Sequence, residues 1–166
     1  NLGSVDKDYA GVLPVHLEGA LPPPDGASAL LVGLAGKSLG FSSDSLDVWE
    51  FKLDWYDPFK SRFGDSGKPN ARVPIAPFDA NLCNWRPCVP QPGTTAKLDT
   101  LSSFLMYKAQ YRNYLEHETL AVSHTVDGDG NNRAGVRWYE LRRQGGTWAV
   151  ANQGTFSPAD GLHRWM

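Results

Sequence analysis

From Glu118 to Phe156 the chain alternates three runs of β-branched and aromatic residues with short clusters of Gly, Asp and Asn. The breaks are Asp127-Gly128-Asp129-Gly130-Asn131-Asn132 and Gly145-Gly146. This spacing predicts consecutive antiparallel strands joined by tight turns. In the middle run Val136, Trp138 and Glu140 share one face, and Arg137, Tyr139 and Leu141 share the other. Neither face is cleanly apolar. The pattern predicts a sheet packed on both sides, with polar residues near its ends.

Upstream, Phe104–Arg112 fits either a helix or a strand; the hairpin series that follows it favours a strand. In the N-terminal half, Trp49, Phe51, Leu53 and Trp55 alternate with Val48, Lys52 and Asp54, the strongest strand signal there. Ala29–Leu34 is a short apolar run that reads as a buried strand. Pro14 places Ala10–Leu17 at a sheet edge or bulge, and Pro74 and Pro77 do the same for Arg72–Phe78. Leu21–Gly26 and Pro58–Asn70 read as loops.

The two halves resemble each other. Val48, Phe51 and Leu53 align with Val136, Tyr139 and Leu141, and Leu30–Leu34 aligns with Leu120–His124. The expected organisation is a blade-like unit over residues 10–78, a stapled loop over 79–103, a second unit over 104–158, and the start of a further strand over 159–166. Four-stranded antiparallel units in succession predict an all-β fold built from about two propeller-type blades. Two sandwich sheets would give a similar pattern. Two blades leave apolar flanks uncovered, so the expected partners are remaining blades of a longer protein or further copies of the chain.

Composition narrows the function classes. Of 166 residues, 41% are hydrophobic and 20% charged, as suits one folded domain. A net charge of −2 gives no electrostatic reason to expect nucleic acid. No apolar run reaches bilayer length and no signal peptide is visible. Cys83 and Cys88 lie in a Pro-rich connection, where a disulfide and hence an oxidising compartment is the favoured reading; two free thiols are the rival.

Several motifs are distinctive as a set. They are Leu13-Pro-Val-His-Leu-Glu-Gly19, Cys88-Val-Pro-Gln-Pro-Gly-Thr94, Lys97-Leu-Asp99 and Met106-Tyr-Lys-Ala-Gln-Tyr-Arg-Asn113. His117-Glu-Thr-Leu120, His124-Thr-Val-Asp127, Gly135-Val-Arg-Trp-Tyr-Glu-Leu-Arg142 and His163-Arg-Trp-Met166 complete it. Together they resemble a family of large secreted bacterial proteins of β-propeller type with no established activity. The resemblance covers nearly all the chain from about residue 10 and implies secretion. It also implies a further strand pair after Met166, and it assigns no reaction.

Candidate chemistry is sparse. Asp127, Asp129 and Asn131 alternate oxygen-bearing side chains as calcium loops do. Asn132 stands where such a loop has Gly and Trp138 where it has Glu, so a tight turn is the stronger reading and calcium the alternative cofactor. Ser42–Trp49 has the spacing of a structural Asp box, with Leu46 in place of Gly. His117, Glu118 and His124 suit acid–base or metal chemistry by residue type, but His117 points away from the other two. Trp85, flanked by Asn84 and Arg86 in the stapled loop, is the expected sugar-stacking residue, with His124 and Arg137 as further ligand-binding candidates. Trp49, Trp55 and Trp138 are expected in the core.

The expected function is a secreted binding or scaffold module for glycans or another protein, and not an enzyme by preference. The alternative is part of a glycoside hydrolase or lyase whose site is completed by other blades or chains. An incomplete ring should associate: sedimentation should show a mass above the 18.2 kDa monomer, and a stable monomer would end that reading.

Overall fold

The computed structural model describes residues 9–165. The fold is all-β, as the alternation predicts. In chain order the strands are β1 (Val12–Glu18), β2 (Ala29–Ala35), β3 (Ser45–Lys52), β4 (Arg62–Phe63), β5 (Ala71–Pro74), β6 (Val89–Pro90), β7 (Lys97–Leu98), β8 (Leu105–Asn113), β9 (Glu118–Asp127), β10 (Ala134–Gln144) and β11 (Thr147–Phe156). Helix is confined, among the described residues, to single 3-10 turns at Lys37–Leu39 and Pro58–Lys60. Nine strands form one curled, half-barrel sheet in the order β11-β10-β9-β8-β1-β2-β3-β4, with β5 also paired to β3. Strands β6 and β7 form a separate hairpin within the stapled loop.

The two halves are therefore parts of one sheet rather than two detached sheets. The join is β1. Its residues Val12, Leu13 and Pro14 pair antiparallel with Gly33, Val32 and Leu31 of β2. Its residues Val15–Glu18 pair in parallel with Ala109–Arg112 of β8. Proline lacks an amide proton, which predicts an edge position for Pro14. Here it sits in a central strand, at the point where β1 leaves one partner and joins the other. Pro74 keeps to the predicted rule: β5 pairs with β3 alone.

Strands β8 to β11 form the predicted meander. Gly145 and Gly146 close the β10–β11 hairpin with φ of 60° and 87°. Two positive φ values in a two-residue turn match the right-handed twist of the flanking strands, and glycine adopts them at little cost.

The concave side holds the core. Leu30, Val32, Leu34, Leu46, Val48 and Val73 from the first half meet Tyr111, Leu120, Val122, Tyr139, Leu141 and Trp148 from the second. The curl brings the segment after β5 towards β11, where the Ala76 amide donates to Gln153 Oε1 at 2.9 Å. The same oxygen accepts from Arg137 Nη2 at 3.0 Å. On the other side of β3, Trp49 is buried in a smaller aromatic group, its ring 4.9 Å from Tyr9 in an edge contact. Beside it the fully buried carboxylate of Asp47 accepts from Ser45 Oγ at 2.8 Å and from Arg72 Nη2 at 2.9 Å. It also accepts from the Tyr9 hydroxyl.

Of the tryptophans expected inside, Trp49 is buried, whereas Trp55 is 84% exposed and Trp138 is 43% exposed. The alternation from Trp49 to Trp55 runs past the end of β3 at Lys52, so its later members have no opposing layer. Leu141 is fully enclosed by both halves. Truncation of such a side chain costs the transfer of its methyl groups plus an unfilled cavity. Leu141→Ala should lower unfolding stability by about 2–5 kcal/mol, read from urea midpoints at unchanged slope.

Candidate binding face

The convex side of β8 to β11 is open, and its residues follow from the register. One cross-strand row is Met106, Ser123, Trp138 and Gly154; the next is His16, Gln110, Ala121, Glu140 and Asn152. Ser123, Ala121 and Gly154 are small, so the centre of this face is low. Larger side chains stand around it. The result is a trough of about 480 Å³, lined among others by Tyr107, Gln110, Tyr114, Ser123, Trp138 and Glu140.

Trp138 is the largest feature of this face. A Cβ placed on Gly154 would lie 3.0 Å from Trp138 Cζ2 and 3.1 Å from its Nε1. The indole thus lies over the glycine on the neighbouring strand, in the room left by the missing side chain. One part of the ring is seated on the sheet and the remainder faces solvent. Tyr107 is brought to the same trough by a bulge in β8, where the pairing shifts between Met106 and Gln110. A bulge re-aims side chains, and Tyr107 emerges 76% exposed.

Polar groups beside the rings are fixed. Glu140 accepts from Asn152 Nδ2 at 2.7 Å and from Arg142 Nε at 2.8 Å. The hydrogen bond from Asn152, then that from Arg142, holds its carboxyl below the usual range, so it presents acceptor oxygens at neutral pH. Lys108 donates to Glu18 at 2.6 Å along the edge of the face. Flat aromatic surface bordered by held acceptors and donors is suited to a pyranose ring, whose faces are apolar and whose rim is hydroxyl.

The predicted ligand residues are distributed differently. Trp85, Asn84 and Arg86 are exposed on the stapled loop, where Cys83 and Cys88 are disulfide-bonded. Cys83, Asn84 and Trp85 have φ of 52°, 55° and 61°, a run of left-handed residues that side chains ordinarily disfavour. The Cys83 amide donates to Asn132 Oδ1 at 2.5 Å, which ties this loop to the β9–β10 turn. Trp85 is thus held outward, but it does not line the trough with Trp138.

His124 is fully buried and is not positioned to meet a ligand. Its Nε2 lies 3.0 Å from the Tyr139 hydroxyl, and the Phe78 ring packs edge-on against it at 4.7 Å. Its place on the concave face of β9 follows from the same parity that puts Leu120 and Val122 there. Glu118 shares that face, as expected from the even separation, but is engaged elsewhere: Arg143 Nε donates to it at 2.6 Å and Tyr111 Oη at 2.5 Å. His117 is on the other side, stacked on Tyr114 at 5.1 Å. Arg137 also points inward. It lies over the Tyr139 ring at 5.5 Å and donates to Gln153 and Thr155.

The Asp127–Asn132 segment is built as a turn. Asp127 Oδ1 accepts from the Gly130 amide at 2.9 Å, and its Oδ2 accepts from the Asn132 amide at 2.9 Å. Asp129 Oδ1 accepts from the Asn131 amide at 2.9 Å. The carboxylates that would ligate calcium are therefore engaged by the loop's own backbone, and Trp138, at the position a calcium loop gives to Glu, is on the convex face. Among the described residues no group of three or more His, Cys, Asp or Glu is placed to hold a metal ion. No helix among them is long and apolar enough to cross a membrane.

Trp138, Tyr107, Glu140, Asn152 and Gly154 were not singled out as site residues by sequence. The signal that bears on them is a glycine inside a strand, Gly154, which marks a close approach of another group. Comparison with family models, with curated proteins and with solved structures finds no match for this chain.

Burial depresses the His124 imidazole from its ordinary 6.5 to about 4. Between those values the unfolded chain binds a proton that the folded chain does not, so stability falls as pH drops through that window. The expected loss is on the order of 3 kcal/mol from neutral pH to about 4. His124→Gln should flatten that slope in urea midpoints measured against pH.

Proposed function

We propose that this protein is a carbohydrate-binding module whose binding surface is the convex face of β8 to β11. The observation that carries the reading is Trp138, seated over Gly154 and half exposed, in one trough with Tyr107 and the held carboxylate of Glu140. A shallow, open trough suits a segment of a polysaccharide lying across the strands better than a small molecule that must be enclosed. The disulfide supports an extracellular setting.

Its scaffold reads best as one curled sheet. Propeller blades pack face to face around an axis, whereas here Val15–Glu18 and Ala109–Arg112 share a ladder across the two halves. Hydrolysis would need a carboxylic acid that keeps its proton near neutral pH. The inward-facing Glu118 is unsuited to that role: although burial opposes ionisation, Arg143 and Tyr111 hold its carboxyl below the usual range. Glu50 is bound to the same arginine, with Arg143 Nη1 donating at 3.2 Å. These acids support an ion-pair role at the end of the sheet, and the reading favours binding over cleavage.

The test is affinity electrophoresis of the folded chain through gels containing neutral polysaccharides such as xylan, mannan and β-glucan. At least one should retard the protein. Trp138→Ala should weaken that retardation by about tenfold or more, the scale of losing a central aromatic anchor. Trp85→Ala should leave it unchanged. Absence of retardation by any of the panel, or retention unaltered by Trp138→Ala, would overturn the assignment.

A further inference from the structure

A second exposed aromatic group lies far from the trough residues in sequence, in the segment between β3 and β4. Trp55 is 84% exposed, and Tyr56 and Phe59 are fully exposed. Aromatic rings left bare on a loop are ordinarily a sign of disorder or of a partner. This loop is ordered by its own side chains. Asp54 Oδ1 accepts from the Tyr56 amide at 3.0 Å and from the Asp57 amide at 2.9 Å. Asp57 Oδ1 accepts from the Phe59 amide at 3.2 Å and caps the 3-10 turn at Pro58–Lys60. The Asp54 amide donates to Ser61 Oγ at 3.0 Å and ties the two ends together. Three rings are therefore held outward on a braced turn.

The base of this loop carries an independent peculiarity. Lys52 of β3 and Arg62 of β4 are direct cross-strand partners. Both are exposed, and neither forms an ion pair with an acid among the described residues. Like charges directly opposite on a sheet repel. The neighbouring acids do not relieve them: Asp54 is engaged by amides, and Asp57 pairs with Lys60 at 3.3 Å. An uncompensated cationic pair beside three solvent-facing aromatic rings fits a surface that is apolar at depth and anionic at its rim.

We propose that the 53–62 loop is an interfacial anchor for an anionic lipid surface. Trp55, Tyr56 and Phe59 enter the headgroup and upper acyl region, where amphipathic rings are favoured. Lys52 and Arg62 meet the phosphate layer, each adding an attraction that salt screens. The anchor uses neither Trp138 nor the trough, so the module can hold a polysaccharide and a membrane surface at once.

The test is co-sedimentation of the full 166-residue chain with phosphatidylcholine vesicles, with and without phosphatidylglycerol. The expected result is partition onto the phosphatidylglycerol vesicles that falls with added salt, with a blue shift of tryptophan emission absent from Trp55→Phe. Trp55→Ala combined with Phe59→Ala should lower the partition by about tenfold or more. Lys52→Ser combined with Arg62→Ser should lower it by about tenfold on anionic vesicles, with little change on neutral ones. Polysaccharide retardation should be unchanged in all these variants, which keeps failure of one assignment separate from failure of the other. No partition onto anionic vesicles, or partition indifferent to these substitutions, would overturn the proposal. Engagement of the loop by a protein without vesicle binding would overturn it equally.

Discussion

The structure depends on one exchange of hydrogen-bonding partners. Strand β1 begins as the antiparallel neighbour of β2 and finishes as the parallel neighbour of β8. Without that ladder the halves would each end in an open edge, with a half-covered apolar face. With it, a single sheet curls and folds Leu46, Val48 and Val73 against Tyr139, Leu141 and Trp148. Pro14 is compatible with this arrangement because it marks the changeover: β1 is central in the sheet, yet each of its segments serves one neighbour.

The concave interior is apolar in the middle and ionic towards its ends. Arg137 lies over Tyr139 at one end, and Arg143 lies over Trp148 at 4.9 Å at the other. Each guanidinium also has fixed oxygen partners, Gln153 and Thr155 for the first and Glu118 and Glu50 for the second. Buried charges persist when they are paired and their donors are used; Arg143 meets that condition through Glu118 and Glu50, whereas Arg137 relies on neutral oxygens and the Tyr139 ring. The residues that look most chemical in the sequence are thus largely consumed in closing the ends of the sheet.

The exposed aromatic surface lies on the outside. The convex face keeps small residues at its centre and aromatic residues at its margin, with bulges in β8 and between β10 and β11 adjusting the rows. The exposed rings fall into two groups of different character. Trp138 and Tyr107 belong to a trough that also holds the fixed carboxylate of Glu140, while Trp55, Tyr56 and Phe59 stand on a braced loop beside the cations Lys52 and Arg62, unpaired among the described residues. The proposed stacking platform and the proposed interfacial anchor differ in those neighbours rather than in the aromatic residues themselves.

Local pattern alone determined strands β9 to β11, the glycine turn at Gly145-Gly146, the edge position of Pro74 and the split of β10 into a Trp138 face and a Tyr139 face, while β8 was legible only from the hairpin series that follows it. These follow from period-two alternation and turn chemistry, which act over a few residues. Only tertiary structure decided which of those faces is covered. A half-apolar strand face is core or platform according to whether another layer lies over it, and that depends on β1 joining β2 to β8. The same dependence put His124 inside and Trp138 outside, although each carries an aromatic ring on a predicted strand. Burial is a property of the assembled sheet, and no single strand contains it.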